Sequence, residues 1–242
     1  MMMGASGADG GEKTATFDGS TTYLTRGADF TGNSNGTTAS FSFWYRNDGA
    51  TGGSNIYKTQ NNTFKFVDSG GTNINVEGRT TAGTRILDSA IVGLNDTGIW
   101  HHVCGMIDMS SAANSSYYFD DVVHESMAGT FSGGSIKFAD TNHAVGADYN
   151  GSGKWAGALY DFWLAFNVTI NFDTTLNRRK FIDADGAPVD LGSDGSTPTG
   201  TAPILFLTGD SSTFATNAGT GGGMTTTGTL TDTNGPTTAG SA

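Results

Sequence analysis

Apolar residues in this chain alternate with polar ones in short runs, and Gly, Asn, Asp or Ser ends each run before a helical period is sustained. Alternation sends successive side chains to opposite faces of a pleated strand, whereas a half-buried helix needs apolar residues every three or four positions. TASFSFWYRND thus places Phe41, Phe43 and Tyr45 on one face and Ser42, Trp44 and Arg46 on the other. The runs TATFDGSTTYLTRG, SNIYKTQ, NTFKFVD, INVEGR, SYYFDDVVHESM, GSIKFAD, HAVGADY and GALYDFWLAFNV read the same way, with reversals at Asp18-Gly19 and Asp120-Asp121. Glycine, 37 of 242 residues, suits turns and disfavours helix interiors. Roughly ten to fourteen short strands at such intervals predict two packed antiparallel sheets in an all-β chain. No fixed-period repeat is present, which argues against a propeller or β-helix.

One short helix is expected near 174–182, in DTTLNRRKFIDADG. Asp173 or Thr174 would cap it, Leu176 and Phe181 would face inward, and basic residues fall near its end. APILFLTG is a continuous apolar run, as in a buried central strand. The organisation that follows is an N-terminal arm over 1–13, flexible or held by a partner, one sandwich over 14–235 with closing strands in 200–230, and a tail over 236–242. The tail is expected to be extended or disordered unless a partner orders it.

Twelve Lys and Arg against 23 Asp and Glu give a net charge of −11, which disfavours nucleic acid and anionic membranes as partners. The basic triplet Arg178-Arg179-Lys180 reads as a solvated helix face. MMMGASGADGGEK contains no apolar run of a signal peptide and no later segment reaches transmembrane length, so synthesis in a cytosol is expected.

WHHVCGMID gathers two histidines, the chain's one cysteine and an aspartate within nine residues. In a strand, His101 and His102 point to opposite faces and cannot chelate one ion together. His101 shares its face with Val103 and Gly105, and His102 shares its own with Cys104 and Met106. One histidine is expected to pack within or under the sheet and the other to meet solvent or a loop, while Cys104 reads as a small buried hydrophobe. A lone cysteine forms no intramolecular disulfide, and no Cys/His spacing resembles a structural zinc site. Glycoside hydrolysis needs two carboxyls facing each other. Asp183 and Asp185 have the right spacing but lie in a turn, and Asp120 and Asp121 diverge if extended.

TFDGSTTYLTRG, FSFWYRND, GIWHHVCGMID, YYFDDVV and GALYDFWLAF occur in the order found in laminin-G-like domains, so Ala15–Val168 resembles that family of the concanavalin A-like lectin/glucanase class. The resemblance implies a two-sheet antiparallel jelly-roll sandwich. The later segment, from RRKFIDADGAPVDLGSDG to GMTTTGTL, resembles the C-terminal half of such domains in tailed-phage virion proteins, where it adds strands to the sandwich. Two departures stand out: Asp121 replaces the usual hairpin glycine, and the glucanases' E-x-D-x-x-E strand is absent.

The function so implied is a non-enzymatic virion surface protein, either capsid decoration or a head or tail fibre component, with weak adhesion to host-surface or environmental glycans. Other virion proteins are its expected partners, a homo-oligomer its expected state and the virion surface its expected location. A polysaccharide-degrading glycoside hydrolase on the same fold and a ligand-free capsid cement protein remain the alternatives. Trp155, in the Gly-rich loop NGSGKWAGA, is the expected sugar platform, with Tyr149 and Asn150 beside it. Related domains bind Ca²⁺ through loop oxygens, so Asp148, Asp183, Asp185 and Asp190 are the candidate metal residues. The competing expectation is that these Asx-rich turns satisfy their own backbone.

Overall fold

The computed structural model describes residues 12–50, 52–70, 73–92, 96–124 and 130–242. Its strands in chain order are β1 (Lys13–Asp18), β2 (Tyr23–Arg26), β3 (Thr38–Asn47), β4 (Ser54–Thr59), β5 (Phe64–Asp68), β6 (Asn73–Arg79), β7 (Arg85–Val92) and β8 (Trp100–Asp108). There follow β9 (Ser116–Phe119), β10 (Val122–His124), β11 (His143–Val145), β12 (Ala156–Phe166), the one-turn helix α1 (Thr175–Arg178), β13 (Leu205–Leu207), β14 (Thr225–Thr227) and β15 (Thr231–Asn234). They form two antiparallel sheets. The 8-stranded sheet runs β10-β9-β8-β3-β12-β1-β15, with β13 also paired to β12; the 7-stranded sheet runs β14-β2-β11-β4-β5-β6-β7. This is the predicted jelly-roll sandwich.

The alternation read in TASFSFWYRND is what fills the space between the sheets. Phe41, Phe43 and Tyr45 join the central core, while Trp44 belongs to a separate cluster on the opposite face of β3. Phe43 stacks on Phe162 of the neighbouring strand β12 with ring centroids 4.9 Å apart, and Phe41 meets Phe66 of β5 in the opposite sheet at 4.8 Å, an aromatic contact that pins the two sheets together.

The outer face of the 8-stranded sheet is not left to solvent. Residues 168–206 fold back across it, burying Ile170, Phe172, Phe181, Leu191 and Phe206 against Cys104, Met106, Tyr118 and Trp163. The tail over 236–242, expected to be extended or disordered, is tied into this layer. The N–H of Trp100 donates to the Ser241 carbonyl (2.7 Å) and that of Gly240 to the Trp100 carbonyl (2.8 Å). At the other terminus, residues 1–11 of the expected arm lie outside the described residues. Lys13 already opens β1, paired with Asn234.

The expected helix shrinks to the four residues of α1, behind Thr174. Phe181 is buried as expected, but Leu176 is 77% exposed. Five residues on an α-helix turn through about 140° from a common face, so one helix could not have aimed both inward. Arg178 and Arg179 do not form a solvated face either. Both clasp Asp121, each at 2.6 Å, and the Arg178 guanidinium lies 4.2 Å from the Tyr118 ring centroid. Asp120 and Asp121 take φ of 47° and 63°, the left-handed pair that a two-residue hairpin turn between β9 and β10 requires. The clasp therefore holds a turn in which a glycine would have been easier. Asp121→Ala is expected to cost about 1–2 kcal/mol, measured by denaturant unfolding at low salt, with the deficit shrinking at high salt. Equal stability would show that the clasp contributes nothing.

Candidate functional site

The two histidines of β8 diverge as alternation demands. His101 faces the core, its ring 4.7 Å from Phe119 and its Nδ1 2.8 Å from Asp120 Oδ2. His102 faces outward, 4.9 Å from the Trp44 ring, with Nε2 2.9 Å from Ser42 Oγ. Both are buried, so of the solvent or loop expected around one of them, the solvent does not hold. The cause is the covering layer, which makes the outer face of this sheet a second interior. Burial lowers the His102 pKa to about 3, so the ring is neutral. Burial likewise pushes the Cys104 thiol well above its ordinary range, which removes it as a nucleophile near neutral pH.

Trp155 is fully buried and does not form a sugar platform. Its ring packs 6.0 Å from Phe17, and its Nε1–H donates to the buried Asp68 carboxylate at 3.1 Å. Glycines on both sides suggested a loop, but Gly157 is where the indole lies: a Cβ there would sit 2.3 Å from the ring. Tyr149, six residues earlier, is the exposed ring of the segment, at 39%.

The Asx turns around it are internally satisfied. Asp148 Oδ2 pairs with Lys58 Nζ (2.7 Å) and its Oδ1 accepts from the Tyr149 N–H, while Asn150 Oδ1 accepts from Ser152 N–H and Oγ–H. Asp183 Oδ1 accepts from the N–H groups of Asp185 and Ala187, and Asp190 Oδ1 from that of Gly192. Of the four aspartates expected to hold calcium, Asp148, Asp183 and Asp190 thus have their carboxylates engaged in separate turns, and Asp185 gives its N–H to the turn of Asp183. Among the described residues, no three His, Cys, Asp or Glu side chains come together as a metal site.

The feature that the sequence reading passed over lies on β12. Its pairing with β3 shifts register between Tyr160 and Trp163, and Asp161 takes φ 48° there. This is a β-bulge, in which an extra residue re-aims its neighbours. Phe162 turns into the core between the sheets, whereas Tyr160 and Asp161 line a cleft of about 530 Å³ on the outer side. The opposite wall comes from residues 187–193, with Phe206, Thr208, Pro236 and Glu12 completing the lining.

Tyr160 donates its hydroxyl hydrogen to Glu12 Oε2 (2.9 Å), and Thr208 donates its own to Asp161 Oδ1 (2.6 Å). Asp161 is 7% exposed. Burial, opposed by the Thr208 hydrogen bond and reinforced by the negative charges of Glu12 and Asp190, raises its pKa to about 7. The signal was present in GALYDFWLAF, an acid set inside an otherwise apolar strand, a place that needs a specific reason.

Residues 18–170 match the family model described as concanavalin A-like lectin/glucanases superfamily. No curated protein matches the sequence. Among solved structures, the whole chain superposes on a Bacteroides ovatus protein described as a "putative carbohydrate binding protein". The TM-score is 0.63 at 14% identity, with 67% of that chain covered. A heptameric SAP-like pentraxin of Limulus polyphemus aligns with 69% of this chain and 81% of its own, at 14% identity and TM-score 0.49. The binding domain of botulinum neurotoxin serotype G aligns with 61% of this chain and 38% of its own, at 11% identity and TM-score 0.45.

Proposed function

We propose that this chain, which belongs to the concanavalin A-like lectin/glucanase superfamily, is a non-enzymatic glycan-binding module on the surface of a tailed-phage virion. The observation that carries the binding reading is a lectin-type sandwich that presents Tyr149 on a turn whose own polar groups are already tied down. A ring held in this way stacks on a sugar's C–H face without first paying to order its loop. The virion placement rests on the likeness of the later segment to phage virion proteins. Many copies on one particle turn weak single-site affinity into stable adhesion, so a homo-oligomer on a capsid or fibre fits the reading.

The test is a glycan array probed with the purified chain and with Tyr149→Ala. The variant is expected to bind a positive glycan about tenfold more weakly or worse, with an unchanged melting temperature, since one stacked ring is worth about 1.4 kcal/mol. A silent array, with particles that lose heat resistance when the chain is deleted, would replace adhesion with a cement role. Release of reducing sugar would instead make the chain a hydrolase. Mass spectrometry and electron microscopy of purified particles test the placement, and absence of the chain from them would end it.

A further inference from the structure

In a chain of net charge −11, a cation left without a partner stands out. Among the described residues every other lysine and arginine has an ion pair or a hydrogen bond; Lys58 holds Asp148, Lys65 holds Glu77, and Arg178 and Arg179 hold Asp121. Lys180, the last of the basic triplet, has neither. It lines a cleft of about 540 Å³, built from the end of β12, residues 167–171 and residues 198–203, and no Asp or Glu lines that cleft. Nothing inside the cleft neutralises the ammonium.

The rest of the lining is neutral. Asn171 Oδ1 accepts from the Asp173 N–H (2.9 Å), which leaves the Nδ2 hydrogens of Asn171 without an acceptor. Asn177 Nδ2 donates to the Asn171 carbonyl (2.9 Å), which leaves the Asn177 Oδ1 without a donor. Val168, Ile170, Pro198 and Pro203 add apolar surface. A small inorganic anion would meet the ammonium and leave these groups idle. A pyranose engages them together, since its hydroxyls both donate and accept and its C–H face is apolar. The adjoining cleft, which shares Thr169 and Asn171 with this one, carries Asp108 and Asp173. Their carboxylates repel an anion and so fix its place at the Lys180 end. The volume lies in the ordinary range for small-ligand sites.

We infer that this cleft binds a sugar unit carrying one negative charge, a uronic acid or a sulfated hexose, with the anionic group on the Lys180 ammonium. The inference rests on the glycan reading above and adds to it a second subsite with a charge preference. The attraction joins one exposed ammonium to one anion, so added salt screens it, while contacts to neutral hydroxyls stay nearly unchanged.

The experiment is titration of the full chain at low salt, followed by ¹H–¹⁵N NMR, with methyl glucuronide and glucose 6-sulfate. Methyl glucoside serves as the neutral sugar and Nα-acetyl-aspartate amide as the carboxylate that is not a sugar. At least one acidic sugar is expected to bind about fivefold or more tightly than both controls and to shift the Asn171 and Asn177 signals. The tighter of the two identifies the anionic group. The preference is expected to vanish in about 0.5 M salt and in Lys180→Gln, and to survive in Lys180→Arg. Lys180 is exposed, so neither variant disturbs the core. Tyr149→Ala is expected to leave the preference intact. Equal binding of the neutral sugar, equal or tighter binding of the aspartate amide, no binding of either acidic sugar, or an unaffected Lys180→Gln would each overturn the inference. Array binding that depends on Tyr149 but shows no such charge preference would leave the proposed function standing without this cleft.

Discussion

Trp155→Ala is expected to lower the free energy of unfolding by about 3–5 kcal/mol, the range for truncating a large buried aromatic. The side chain is fully buried in the core between the sheets, so its loss leaves a void beside Phe17 and over Gly157. It also removes the indole N–H from Asp68, a buried carboxylate that Asn47 holds as well, at 2.8 Å. Domains of this kind keep only about 5–15 kcal/mol in total, so the variant would sit near its unfolding threshold. Trp155→Phe keeps most of the volume, loses only the hydrogen bond and is expected to cost about 1–3 kcal/mol. Chemical denaturation of both variants decides the matter. A Trp155→Ala protein as stable as wild type would return this residue to the surface.

Asp161→Asn is expected to stabilise the protein at alkaline pH and to do almost nothing at acid pH. The folded-state pKa of Asp161 is about 7, against an ordinary carboxyl value of 3.8. Below 3.8 both folded and unfolded chains hold the proton, and burial of the neutral acid costs little. As pH rises through 7 the folded chain must either keep a proton that the unfolded chain has released or bury a charge, and stability is lost. At about 1.36 kcal/mol per pKa unit the full penalty is on the order of 4 kcal/mol.

The cleft leaves this carboxyl some contact with water, so a gain of about 2–4 kcal/mol at pH 8 and within about 1 kcal/mol of zero at pH 4 is the expected result. Asparagine accepts the Thr208 hydrogen bond and is among the residues that tolerate a positive φ, so the bulge should persist. His102 acts in the opposite direction. Its folded pKa of about 3 lies below the ordinary 6.5, so its contribution is present above 6.5 and lost as pH falls toward 3. The Asp161→Asn variant should therefore lose stability steadily on acidification from neutral pH, where the wild type shows a flatter profile. Parallel profiles for the two proteins would mean that Asp161 is ionised normally.

Where sequence reasoning succeeded, it dealt with one strand at a time. Strict alternation put Phe41, Phe43 and Tyr45 in the core and split His101 from His102, and both hold because a pleated strand allows no other arrangement. Its failures concern what lies beyond the strand. Trp155 was assigned to the surface because of its glycine neighbours, yet one of those glycines provides the space that its ring fills. Tyr149 remained exposed because its turn, closed by Asp148 and Asn150, carries it away from both sheets.

The sequence alone determined that the chain folds as strands and, along regular strands such as β3 and β8, the sense of each side chain, since period two and turn chemistry act over a few residues. It also determined that His101 and His102 point to opposite faces of β8. Only the tertiary structure decided that the outer face of the 8-stranded sheet would become a second interior. That outcome requires residues 168–206 and 236–241 to return over strands far away in the chain. The same return buries His102, engages Asp121 with two arginines and closes a cleft over Asp161. Water is excluded there by contacts between distant segments, and no local pattern records such contacts.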